Sequence, residues 1–123
     1  MGLHKNPTVL VAEDQCLIRS AIGDVLREDG FDVIFAPDGL RAEQILAADK
    51  DVQILFSDIR MPEMDGLALA RNARHLSPHV RILLTSCVEP ADLPTGVTFL
   101  QKPYDVTQLS ERLRQMLTGS RQA

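Results

Sequence analysis

Apolar positions along the chain fall into two alternating rhythms. Short, nearly continuous apolar runs occur at Thr8-Val9-Leu10-Val11-Ala12, Asp32 to Ala36, Gln53 to Ser57, Val80 to Thr85 and Val97-Thr98-Phe99-Leu100. Runs of this length, bounded by turn formers, predict strands buried on both faces of a parallel sheet. Between them the apolar positions recur at helical spacing. Ile18, Ile22, Val25 and Leu26 do so within Gln15 to Asp29, and Leu67, Ala70 and Ala73 after Asp65-Gly66. Leu109, Leu113, Met116 and Leu117 form a stripe after Asp105. Gly30 ends the first helix, and Pro37-Asp38-Gly39 turns the chain into a second that runs to about Asp49, with Asp38 as its cap. Asp105 and Gln108 have the spacing of a capping box. Strand and helix in alternation predict an α/β domain with a doubly wound parallel sheet covered on both faces.

One stretch breaks the rhythm. Cys87 to Gly96 holds Pro90 and Pro94, with Glu89 and Asp92 beside and between them. Proline opens a helix but does not continue one. A loop with at most one or two helical turns, a short fourth helix, is expected where the pattern asks for a full one. Residues 119–123 are expected to fray. With no repeat, low-complexity segment or linker, the 123 residues read as a single domain with a core of about 8–117.

The strand exits carry the chemistry. An ionisable group is costly to bury unless it is paired or solvated, so Asp58 is expected at the end of its strand. Ligands of open α/β sheets bind at such exits. The first strand runs into Glu13-Asp14, the fourth into Thr85-Ser86 and the fifth into Gln101-Lys102-Pro103. If these strands are neighbours, three carboxylates, a hydroxyl and an ammonium meet at one edge. Glu13, Asp14 and Asp58 offer hard oxygens of the kind Mg²⁺ takes while keeping some waters. Lys102 and Thr85 suit a phosphoryl group.

Composition narrows the setting. Hydrophobic residues make up 45% of the chain, enough for a sizeable core. The formal net charge of −4 argues against a nucleic-acid partner. No apolar run approaches the ~18 residues of a membrane span, and the N-terminus lacks the apolar segment of a signal peptide. Two cysteines, Cys16 and Cys87, show no metal spacing and read as free thiols of a reducing cytosol. His75 and His79 find no matching ligand pair for zinc.

From Thr8 to Leu117 these residues resemble the receiver domains of two-component response regulators. The resemblance rests on Glu13-Asp14, Asp58, Met61-Pro62-x-Met64-Asp65-Gly66, Thr85, Phe99 and Lys102-Pro103, all in order. It implies a flavodoxin-like fold of five strands, and a phosphoryl group accepted on Asp58 from a sensor histidine kinase or a histidine phosphotransfer protein. It implies Mg²⁺ held by Asp14, by Glu13 through water, by Asp58 and by the Arg60 carbonyl. Lys102 is expected to pair with Asp58 and then with the phosphoryl oxygens. Thr85 is expected to move toward that group and Phe99 to turn inward with it. The Lys-Pro bond is expected to be cis. Such a domain is a cytoplasmic switch with slow autodephosphorylation, not a conventional enzyme.

Three points depart from that family or compete with it. The chain between Thr85 and Phe99 is short by about one helical turn or more, so the family's face of fourth helix, fifth strand and fifth helix is reshaped. A subgroup of stand-alone receivers is similar in this respect. Arg60 and Cys87, each two residues past a site residue, stand where the lifetime of the phosphoryl group is tuned, Arg60 by shielding it or donating to its oxygens. The rival readings are an interaction module that uses the fold without phosphorylation, and a hydrolase of small phosphate esters.

Overall fold

The computed structural model describes residues 6–118. Along them run β1 (Thr8–Ala12), α1 (Cys16–Glu28), β2 (Asp32–Ala36), α2 (Gly39–Ala48), β3 (Val52–Asp58), α3 (Gly66–Leu76), β4 (Arg81–Ser86), β5 (Thr98–Gln101) and α4 (Val106–Thr118). The strands form one parallel sheet in the order β2-β1-β3-β4-β5. Strand bounds lie within one residue of those the apolar runs predict. The expected N-terminal tail and frayed C-terminus lie outside the described residues.

Both faces of the sheet are packed. Ile22 and Leu26 of α1 and Leu109, Leu113 and Met116 of α4 cover one face, against Val9, Val11, Ile54, Phe56 and Leu83. Ala42 and Leu46 of α2 and Leu69, Ala70 and Ala73 of α3 cover the other, against Leu10, Leu55, Ile82 and Leu84. The near-continuous apolar strands are explained by this double burial. Local signals agree with it. Asp38 accepts from the Arg41 N–H at 2.8 Å at the start of α2. Asp105 and Gln108 form the reciprocal capping box, Gln108 N–H to Asp105 Oδ1 at 2.9 Å and Asp105 N–H to Gln108 Oε1 at 3.0 Å.

The short fourth helix does not form. Residues 87–97 contain only bends and turns. Pro90 and Pro94 remove backbone donors, and Gly96 sits at φ +83°, outside any helix. The segment is still anchored. Leu93 and Val97 pack on the α2–α3 core, and the Arg74 guanidinium donates to the Thr95 carbonyl. Among the described residues there are therefore four helices, and the last, expected as the fifth, is α4.

Strand order fixes where the site lies. From β1 the chain crosses to β2 on one side, then to β3 on the other. The crevice at the C-terminal ends of β1 and β3 is the topological switch point, where open α/β sheets bind ligands.

Two substitutions separate the contributions to stability. Asp105→Ala should lower the unfolding free energy by about 1 kcal/mol, the usual cost of a lost cap. Leu113→Ala, at a fully buried position, should cost about 2–5 kcal/mol. Urea midpoints measured on both variants check the order and the ratio.

Candidate functional site

Asp58 is the last residue of β3, as the cost of burying a charge requires, yet it is only 7% exposed. It is partnered instead of solvated. Lys102 Nζ lies 2.6 Å from its Oδ2. The Arg60 backbone N–H donates to its Oδ1 at 3.1 Å. Both contacts are delivered by the fold. Parallel pairing sets Asp58 beside Thr85, and the Lys102 N–H bonds to the Ser86 carbonyl at 2.9 Å, which extends the β4–β5 edge by one residue. The Lys102–Pro103 peptide bond is cis.

The loop below Asp58 is closed by its own backbone. The Gly66 N–H donates to the Ile59 carbonyl at 2.8 Å, and Asp65 caps α3 through the Ala68 N–H at 2.9 Å. A Cβ at Gly66 would lie 2.5 Å from the Asp58 carbonyl oxygen, so only glycine lets α3 start this close to the site. Met61 and Met64 pack on the core beneath the loop.

Glu13 follows β1 and is buried. Its Oε2 accepts from the Gln15 N–H at 3.1 Å, and its carbonyl accepts from Arg19 Nη1 at 2.9 Å. Burial pushes the Glu13 carboxyl above its ordinary value. The Asp58 charge and a contact with Asp14 push the same way, against the Gln15 N–H and Lys102. Asp14 is exposed and does not cap α1, whose cap position is Gln15 without a side-chain bond. Tyr104 lies edge-on to Phe56 at 6.1 Å, and its hydroxyl is pushed up to about 12 by burial and by the charges of Glu13 and Asp58.

The remaining candidates stand farther back. The Thr85 hydroxyl is buried and donates to the Leu100 carbonyl at 2.6 Å, not to Asp58. Phe99 is half-buried against the α2–α3 core, and Arg112 Nη1 donates to its carbonyl at 3.1 Å. Arg60 and Cys87 are exposed at the mouth, and Gln101 Nε2 donates to the Cys87 carbonyl at 2.9 Å.

Three carboxylates thus share one edge with one ammonium. Among the described residues no cluster of three or more His, Cys, Asp or Glu side chains forms a ready metal cage. Mg²⁺ does not ask for one, because it keeps waters and takes one or two carboxylates. The buried like charges of Glu13 and Asp58 fit a small hard cation, which would relieve their repulsion.

An apolar groove adjoins this edge. A cavity of about 470 Å³ is bounded by Leu17, Ile18, Pro103, Tyr104 and Val106, and it opens onto Glu13 and Lys102. Leu17 is 82% exposed and Ile18 39%. The helical spacing assigned Ile18 to the buried stripe, but the first turn of α1 overhangs the sheet and only Ile22 and Leu26 reach the core. No helix of the described residues is long and apolar enough to cross a membrane.

Fold and site together define an α/β domain with an acidic, lysine-bearing switch point. Residues 9–114 match the family model of the response regulator receiver domain, and the chain belongs to that family. It is 30% identical over 118 residues to the response regulator receiver protein CpdR of Brucella abortus (strain 2308), covering 91% of this chain and 98% of that protein. It is 29% identical to the aerobic respiration control protein ArcA of Escherichia coli (strain K12), covering 93% of this chain and 50% of that protein. The chain therefore spans about half the length of such curated relatives. The crystal structure of the receiver domain from the hybrid histidine kinase CckA superposes with a TM-score of 0.81 at 36% identity, covering 90% of this chain and 99% of that one.

The raised Glu13 pKa gives a signed prediction for the metal-free protein. A carboxyl whose folded pKa lies above its unfolded value binds more protons folded, so stability falls as pH rises through that window. Glu13→Gln should raise the urea midpoint at pH 7 in the presence of a chelator. Well below the ordinary carboxylate value, where the carboxyl is protonated in both states, the gain should vanish.

Proposed function

We propose that this chain is a cytoplasmic phosphoacceptor of a histidine-to-aspartate relay, with Asp58 as the residue that takes the phosphoryl group. The observation that supports this most is the buried Asp58 carboxylate held by Lys102 at 2.6 Å, beside buried Glu13. A carboxylate oxygen of Asp58 attacks the phosphorus. The bond from phosphorus to the donor's imidazole nitrogen breaks, its electron pair leaves with the ring, and the product is a mixed anhydride. Little covalent work falls to the protein, which positions groups and offsets charge.

The chain's own residues divide that work. Lys102 shifts its contact from the Asp58 carboxylate to the phosphoryl oxygens. The Arg60 N–H holds Asp58 in place, which leaves one carboxylate edge for reaction. Asp14, Glu13, Asp58 and the Arg60 carbonyl are the groups that would hold Mg²⁺, which when bound supplies positive charge at the phosphoryl oxygens. Thr85 gives up its bond to the Leu100 carbonyl to reach the new oxygens. That rotation changes what Phe99, one residue earlier on β5, packs against, and the phosphorylated state is read by a protein partner or passed onward. Arg60 and Cys87 at the mouth set how fast water removes the group. No turnover of a separate substrate is part of this reading.

Intact mass after incubation with Mg²⁺ and acetyl phosphate tests it. The expected result is a labile gain of one phosphoryl group, absent in Asp58→Asn. A gain retained in Asp58→Asn would refute the assignment. No gain in a protein that binds no Mg²⁺ would favour an interaction module that works without phosphorylation.

The apolar groove gives the donor a place to dock, because it opens onto Glu13 and Lys102. A helix bearing phosphohistidine and laid against Leu17, Ile18 and Val106 brings its ring to the Asp58 edge. Leu17→Asp should slow transfer from a phosphohistidine protein by about tenfold or more, the effect of removing one well-buried anchor. Acetyl phosphate, too small to need the groove, should be affected far less. Parallel time courses with the two donors check the difference.

A further inference from the structure

The strands begin around a second cavity, at the end of the sheet opposite Asp58. It measures about 510 Å³. Its polar wall includes Lys50, Gln53, His79 and Arg81, and its apolar wall includes Val52 and Leu117. No carboxylate lines it, in a chain whose formal net charge is −4. Asp51 lines a smaller adjoining cavity that shares Lys50 and Gln53 with this one, and it has an interaction of its own within the protein.

Part of this charge has a structural use. Lys50 Nζ donates to the Leu76 carbonyl at 2.8 Å, at the last residue of α3, where a cation offsets the negative end of the helix dipole. That bond also fixes the ammonium at the rim. One bonded lysine serves the helix end; an arginine and an imidazole beside it go beyond that need. Arg81 has an interaction within the protein, but a guanidinium carries five donors and can share them with an oxyanion. Its planar fork matches the oxygens of carboxylates and phosphates.

We propose that this cavity binds a small organic anion, with a phosphate or carboxylate head held by Lys50, His79 and Arg81 and an apolar body against Val52 and Leu117. The site is separate from Asp58. The two lie at opposite ends of β3, Val52–Asp58, roughly 20 Å apart at the usual rise of a strand.

Amide spectra of the whole ¹⁵N-labelled chain, recorded without Mg²⁺ during titration with adenosine monophosphate, benzoate or adenosine, test the proposal. The expected result is saturable shifts at Lys50, Gln53, His79 and Arg81 with one or both anions and none with uncharged adenosine. Stronger binding of the monophosphate assigns a phosphate head, and stronger binding of benzoate a carboxylate head. Lys50 and His79 are exposed, so the double variant Lys50→Ala/His79→Ala should keep the fold and bind about tenfold more weakly, the effect of losing a charged hydrogen bond. The proposal is overturned by no shift at these amides at millimolar anion, by equal shifts with adenosine, or by undiminished binding in the double variant.

Discussion

A single ammonium stands against the carboxylates at the C-terminal edge of the sheet, and the site is organised around that shortage of positive charge. Lys102 reaches Asp58 because β5 lies next to β4 and β4 next to β3, and because the chain leaves β5 directly into Lys102. Asp58 would be costly to bury without that partner and the Arg60 N–H. Among the described residues Glu13 has no such ion pair of its own. Its carboxyl is raised first by burial and then by the Asp58 charge beside it. A domain built only for stability would gain by replacing one of these acids. Retaining both suits a site that receives a divalent cation and then a phosphoryl group.

The backbone around the site accepts close approaches to maintain this arrangement. Gly66 lets α3 begin against the Asp58 carbonyl, and Glu63 adopts φ 67° in the loop between them. Non-glycine residues rarely take that conformation without a compensating closure. Here the Gly66–Ile59 bond and the Asp65 cap provide it. The Thr85 hydroxyl, bonded to Leu100 across to β5, ties the site to the edge strand in the form seen here. Any group that competes for that hydroxyl at Asp58 must break this bond to the Leu100 carbonyl.

Much of this was legible in the sequence because burial writes simple patterns. Parallel strands packed on both faces must be apolar at nearly every position, and a charge can appear only where the strand ends; Asp58, Glu13 and Lys102 followed from that rule. The Asp105–Gln108 box was readable because its spacing is local. What depended on tertiary context was not legible. Two prolines limited the fourth helix, but whether any turn of helix survived depended on how Leu93 and Val97 found the core. Ile18 carries helical spacing yet lies exposed in the first turn of α1, beside exposed Leu17. Tyr104 gave no periodic signal, and its place beside Glu13 and Asp58 arises only when β5 and the loop after it are set.

On the proposed function, the edge around Asp58 is short of positive charge and would take a divalent cation to correct it. Calorimetric titration of the intact chain with Mg²⁺, beside Asp58→Asn, tests this most directly. The expected result is saturable binding at one site in the parent and a marked loss of affinity when the Asp58 charge is removed. No binding in the parent, or equal binding in Asp58→Asn, would contradict it.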